Sequence, residues 1–312
     1  MALLMRGLVV LLAGCGLGAG LGGGSDNLPN GGVGPYGKLL DERLLTSIDE
    51  PYVIVDVTAN LADPSALRDG DAYRLWFSRT PRAGGATAIW YAELPATLDR
   101  EGSLLTAALV ADQPYEEGAV RAPSVLADGD ELRMYYQTGG GDVALALSGD
   151  DGMSWQKQGV VLADAEEPSV VHLGGEWLLY VTRPGQDGIH VARSADGRTF
   201  LTAEAVLLPA EVGFAAGPLT SPGAFADVGE AGLPRVWLFY RGGGDGAGIG
   251  YAGSRDGLDF TRGATGEPVL VPASPDDRGP APVVTPTGGI LFYGAVRATV
   301  QVIGAARTGD PG

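Results

Sequence analysis

The sequence predicts an all-β protein, a five-bladed β-propeller made of four-stranded antiparallel blades, and three observations carry that expectation. One phrase recurs five times: a proline among small residues, an apolar pair, a turn bearing Gly or Asp, then an aromatic-rich strand. No stretch carries the apolar period of an amphipathic helix. The 51 glycines and 21 prolines among 312 residues show no triplet period, which excludes collagen and asks for many tight turns.

In chain order, Asp63-Pro64-Ser65 leads to Tyr73-Arg74-Leu75-Trp76-Phe77, and Ala122-Pro123-Ser124-Val125 leads to Leu132-Arg133-Met134-Tyr135-Tyr136. Glu167-Pro168-Ser169-Val170 leads to Trp177-Leu178-Leu179-Tyr180, and Ser221-Pro222-Gly223-Ala224 to Val236-Trp237-Leu238-Phe239-Tyr240. The fifth instance is Ala281-Pro282-Val283-Val284, leading to Ile290-Leu291-Phe292-Tyr293. Prolines counted this way stand 59, 45, 54 and 60 residues apart, room for four short strands per unit. Closing five units in a ring leaves only short strand edges.

A third strand follows each aromatic one, clearest in Val143–Ser148, Ile189–Ser194 and Ile249–Ser254, with Ile89–Ala92 in the first unit. Three of them end in one type of turn, Ser148 to Trp155, Ser194 to Phe200 and Ser254 to Phe260. Its Asp accepts amide hydrogens, its Gly takes positive φ, and its aromatic is expected to pack beneath the next blade. Gly159–Leu162 and Ala205–Leu208 read as fourth strands, and Trp76, Trp90, Trp155, Trp177 and Trp237 as core.

Composition narrows the function. A chain 45% hydrophobic is too apolar for disorder, and a formal charge of −17 argues against a nucleic-acid partner. One Cys allows no internal disulfide, and two His make a zinc site or a Ser-His-Asp triad unsupported, so no metal or cofactor is expected.

The N-terminus has its own logic. Residues 1–14 carry Arg6, a short apolar core and small residues, the make-up of a secretory signal too short to span a bilayer. Leu12-Ala13-Gly14-Cys15 resembles the lipobox of bacterial lipoproteins, which implies a membrane partner through acylated Cys15. Residues 15–35 follow as a Gly-rich tether with a reach of roughly 25 Å, and 36–312 as the propeller. Gly16 replaces the Asp of an inner-membrane retention signal, so the expected location is the cell envelope, at the outer membrane or cell surface.

Two further resemblances concern the blades. Ser148 to Trp155 resembles the Asp box of sialidases, a turn signature shared by proteins of unrelated chemistry. The five-blade count and the Pro phrases resemble the arabinanase, xylosidase and invertase clan of glycosidases over about residues 50 to 305. That resemblance implies carboxylates at the axial ends of the innermost strands, with Asp63 as base and Glu167 standing where the clan has an orienting Asp. Glycoside cleavage needs two carboxylates, one to protonate the leaving oxygen and one to assist attack at the anomeric carbon. In the fourth blade the clan's Glu-Gly-Pro has two counterparts, Ala216-Gly217-Pro218 and Thr220-Ser221-Pro222, and neither carries an acid. The second blade departs as well, with Arg121-Ala122-Pro123-Ser124 lacking the Asp that often follows the proline.

Three functions stay open. The first is a saccharide-binding or envelope propeller without efficient turnover, its axial funnel lined by Asn60, Asp63, Arg121, Glu166, Glu167, Ser221 and Arg278. The second is an active glycoside hydrolase in which Glu166, Glu211 or another acid has taken the missing role. The third is a protein-interaction scaffold, since propellers host many unrelated functions.

Overall fold

The computed structural model describes residues 36–38, 52–98, 106–228, 233–263, 267–270, 278–285, 288–297 and 299–308. The signal segment, Cys15 and the Gly-rich stretch lie outside them, as does the side chain of Arg278. Two short strands come first, β1 (Tyr36–Lys38) and β2 (Tyr52–Ile54). Blade one then comprises β3 (Ala59–Asp69), β4 (Ala72–Pro81), β5 (Ala88–Pro95) and β6 (Thr106–Leu109). Blade two is β7 (Val120–Asp128), β8 (Glu131–Thr138), β9 (Val143–Ser148) and β10 (Gln156–Leu162). Blade three is β11 (Glu166–Leu173), β12 (Glu176–Arg183), β13 (Gln186–Ser194) and β14 (Glu204–Leu207). Blade four is β15 (Leu219–Val228), β16 (Pro234–Gly242), β17 (Gly248–Ser254) and β18 (Thr261–Arg262).

The fifth blade draws on both ends of the chain. Strands β19 (Arg278–Thr285), β20 (Gly288–Arg297) and β21 (Val300–Thr308) follow one another, and β1 and β2 both pair with β21. Tyr36 sits opposite Thr308 and Tyr52 opposite Gly304, so the first strands shut the ring against the last. The all-β, five-bladed architecture expected from the repeat is the one observed.

The core is divided among the gaps between blades. Trp76, Ile89 and Tyr91 of blade one pack with Val125, Met134 and Tyr136 of blade two. Leu75 and Phe77, one step away on the same strand, pack instead with Phe292 and Ile303 of blade five. Successive side chains of a strand point to opposite faces, so the second strand of each blade is buried on both sides and must be apolar at nearly every position. That requirement is what wrote the aromatic-rich runs into the sequence.

The three Ser-to-aromatic turns tie neighbouring blades together. In each, the Ser hydroxyl donates to the Asp carboxylate two residues on (2.8, 2.9 and 2.8 Å) and accepts the Gly amide at 2.8 or 2.9 Å. Amide and hydroxyl donors from Ser154 and the Ser148 hydroxyl lower the Asp150 pKa to about 2, and the amides of Thr199 and Arg198 do the same for Asp196. The closing aromatics pack on the preceding blade, not the next. Trp155 meets Trp76 edge to face at 6.2 Å, Phe200 meets Tyr135 at 5.7 Å and Phe260 meets Tyr180 at 5.7 Å. The turn glycine explains the direction: a Cβ on Gly152 would lie 2.9 Å from Trp76, and one on Gly197 2.7 Å from the Tyr135 hydroxyl.

One buried carboxylate organises the link from blade one to blade two. Glu116 ends a 3-10 turn, Pro114–Glu116, and is fully buried. Its Oε1 accepts the Tyr136 hydroxyl at 2.9 Å, and its Oε2 accepts the amides of Asp112 and Gln113 and the Lys157 ammonium, all at 2.8 Å. Lys157 comes from β10, so the ion pair fastens the outermost strand of blade two to the crossover. Exchanging Glu116 for Gln leaves the Lys157 ammonium short of its buried partner, and urea denaturation is expected to show a loss of about 3 kcal/mol. A loss within the noise of a surface substitution would refute the role.

His190 on β13 is buried, and its Nδ1 has no hydrogen-bond partner among the described residues. Burial, with the charge of Arg183 added, holds its pKa below the ordinary 6.5. A folded pKa below the unfolded one means that the unfolded chain binds the proton more readily. Stability is therefore full above pH 6.5 and falls as the pH drops below it. The unfolding midpoint should decline between about pH 7 and pH 5, and His190→Val should flatten that decline; an unchanged slope in the variant would count against it.

Candidate functional site

Each innermost strand carries the same local device. At Asp63, Ala122, Glu167 and Ser221, φ is 49, 46, 52 and 52°, and Gly279 takes 64°. A proline follows every one of them, and the pairing register slips there in all five blades. Left-handed backbone before a proline is costly for a residue with a Cβ, about 1–3 kcal/mol each. Because Ala122 and Ser221 share it with the two acids, the strain belongs to the scaffold and not to any one chemical group. The fifth corner is Gly279-Pro280, which corrects the placement at Pro282. Pro282 lies two residues further along β19, opposite Leu291.

The five corners enclose one cavity on the axis, lined by Asp63, Ala122, Glu167, Ser221, Gly279 and their prolines. It holds about 30 Å³, a tenth of the roughly 300 Å³ at which small-molecule sites begin. A sugar ring would thus rest above the corners, not among them.

Hydrogen bonds link the corners around the axis. Ser78 donates to Asp63 Oδ2 at 3.2 Å and accepts the Ala122 amide at 2.8 Å, joining blades one and two. Gln137 Oε1 accepts the Glu167 amide at 3.2 Å, joining two and three. Glu167 then reaches blade four: Oε2 accepts the Ser221 amide at 2.8 Å and the Thr182 hydroxyl at 3.1 Å, while Oε1 accepts the Ser221 hydroxyl at 2.9 Å. Both of its oxygens are occupied. The serines after the prolines form a second tier, with Ser65, Ser124 and Ser169 accepting the amides of Val125, Val170 and Ala224 at 2.9, 2.9 and 2.7 Å. None of these inter-blade roles was readable in the phrase, although the recurring Ser was visible in it.

The other expected site residues are spread around the corners. Asn60 Oδ1 accepts the Gln301 amide at 3.4 Å, bridging blades one and five. Arg121 is half-buried next to the Ala122 corner, opposite Gln137, and its guanidinium has no partner among the described residues. Glu166 is half-buried opposite Thr182; its carboxylate likewise has none, and only its carbonyl accepts the Thr182 hydroxyl, at 3.4 Å. Arg278 takes the same position on β19, opposite Gly294. Ser221 is buried as the anchor of Glu167 and marks the fourth-blade corner, which settles it over Gly217-Pro218. Glu211 stands exposed in the preceding loop. Sequence inspection missed Arg241, which β16 places opposite Thr220 in the same tier. Among the described residues no group of three or more His, Cys, Asp or Glu is arranged to hold a metal ion.

The chain matches no known protein family and no curated protein. Solved structures match it along most of its length. A glycosyl hydrolase from Bacteroides ovatus superposes with a TM-score of 0.63 at 16% identity, over 92% of this chain and 96% of that one. A β-1,2-mannobiose phosphorylase from Listeria innocua gives 0.64 at 14% identity, over 84% and 92%. The catalytic domain of a GH62 α-L-arabinofuranosidase from Coprinopsis cinerea gives 0.63 at 9% identity, over 83% and 95%. At such identities the likeness is one of fold, the five-bladed β-propeller.

The corners differ in what they tolerate. A Cβ at Gly279 would lie 2.8 Å from Asp63 Cα, so Gly279→Ala should cost about 2 kcal/mol or more in chemical denaturation. Ala122→Gly relieves a left-handed residue and should cost nothing. Equal losses in both would contradict the corner geometry.

Proposed function

We propose that this chain is an exported, lipid-anchored propeller that binds a saccharide over its axial corners without efficient turnover. Asp63, Asn60 and Arg121 are its principal contacts in this reading. One observation supports it above others: of the two carboxylates on the axial cavity, Glu167 has both oxygens bonded to Thr182 and Ser221. Asp63 therefore lacks, on the cavity wall, the free second acid that hydrolysis requires. The mannobiose phosphorylase and arabinofuranosidase that share the fold support saccharide as the ligand class. Export and anchoring rest on the signal-like start and Cys15. Acyl chains there would give stable membrane attachment, since a single chain binds only marginally.

Isothermal titration of the folded protein against arabinan, xylan, fructan and peptidoglycan fragments should show heat with at least one. Asp63→Ala should weaken it about tenfold. No heat across the panel rejects the binding site, and a Cys15→Ser chain that still fractionates with membranes rejects the anchor. A second reading has its own support: Glu166, half-buried beside the corner with a carboxylate that has no partner among the described residues, could replace the missing acid of an active hydrolase. Release of reducing sugar that is lost in both Asp63→Ala and Glu166→Gln would establish it over the first, and a flat result over the same panel would exclude it.

A further inference from the structure

A much larger cavity, about 520 Å³, lies off the axis in the cleft between the outermost strands of blades one and two. Strand β6, the crossover after it and strand β10 wall it, and the side chains that give it character are Asp112, Gln113, Tyr115, Trp155, Lys157 and Gln158. Its volume falls in the range of small-molecule sites.

The wall chemistry selects the ligand. Lys157 is the cleft's cation, and its ammonium is already taken by Val110 O at 2.6 Å, Asp112 Oδ1 at 2.5 Å and Glu116 Oε2 at 2.8 Å. An anionic ligand such as a phosphate therefore finds no available positive charge among the described residues that line it. Two exposed amides and a carboxylate make it a poor host for a purely apolar ligand. Gln113 gives one of its two N–H groups to Asp112 at 3.0 Å. Gln158 gives one to Gln156 O at 3.0 Å and receives Arg198 at 3.1 Å. Each retains a donor and acceptor capacity toward the cleft. Two aromatic rings, Tyr115 and Trp155, share the wall with them. Trp155 is already fixed in orientation by its edge-to-face contact with Trp76 at 87°, so ordering it costs little when a ligand arrives.

Neutral hydrogen-bonding groups beside a rigid indole suit a ring that is hydroxylated at its edge and apolar on its face. We infer that this cleft is a second saccharide site, for a neutral mono- or disaccharide, independent of the axial one.

The Trp155 indole N–H, buried and without an acceptor among the described residues, is the reporter. In proton-nitrogen NMR it is identified by its loss in Trp155→Phe. Titration with neutral disaccharides (xylobiose, arabinobiose, cellobiose, mannobiose) at millimolar concentration should move that resonance with at least one sugar. Gln113→Ala with Gln158→Ala, both at exposed positions, should weaken the response about tenfold. Asp63→Ala should leave it unchanged. No movement with any sugar, or movement indifferent to the glutamines, overturns the cleft site; movement abolished by Asp63→Ala assigns the sugar to the axis and overturns it as well.

Discussion

Blades of a propeller share no sheet ladder, so everything near the axis depends on side-chain oxygens that take a backbone N–H from the blade that follows. Ser65, Ser124 and Ser169 do this in one tier, and Ser78, Gln137 and Glu167 in the other. Each such bond also satisfies an amide of an innermost strand, and a buried amide left unsatisfied there would cost about 1–3 kcal/mol. The pattern stops where blade four meets blade five. At Gly223, where the earlier blades have Ser, a Cβ would lie 1.8 Å from the carbonyl of Pro280, and at Gly279 it would crowd Asp63. Backbone packs on backbone at those two joints, and glycine is what permits it.

This order of causes bears on chemistry. The corner conformation is present whether the residue is Asp, Ala, Glu, Ser or Gly, so the scaffold supplies the position and residue identity supplies the reactivity. Asp63 and Glu167 stand at equivalent corners, and each receives a hydroxyl from its own blade, Ser78 in one case and Thr182 in the other. The extra methylene of Glu167 lets it reach blade four. Its carboxylate thereby clamps blade three to blade four through Ser221.

Much of the fold was legible in the sequence because it is local. Strand β9 coincides with the expected Val143–Ser148, and the bilateral burial of second strands announces itself as unbroken apolar runs. The fifth corner was misplaced because Pro280 and Pro282 sit two residues apart in one small-residue run, and only pairing distinguishes them. The aromatic of each turn was sent to the wrong neighbour for a similar reason: a strand's periodicity says that it has two buried faces, not which blade each face meets. Glu116 gave no signal at all. Its partners Tyr136 and Lys157 lie far along the chain, and a Glu beside Glu117 in a polar stretch reads as solvated surface. The candidate site was legible as positions, through the repeated Pro, but its hydrogen bonding was not.

Ring closure has a temporal side. The partner of β1 and β2 is β21, so during synthesis the molecule can be no more than an open arc until β21 emerges. Joining the ends of so long a loop adds little to the equilibrium cost, because closure entropy grows only with the logarithm of length. It does make the step late and non-local, hence slow. Until then the outer faces of the arc stay wet, Tyr73 and Phe77 at one end and Trp237 and Phe239 at the other. These are the surfaces through which two unfinished chains would stick to one another, and they vanish only when the two ends of the same chain meet.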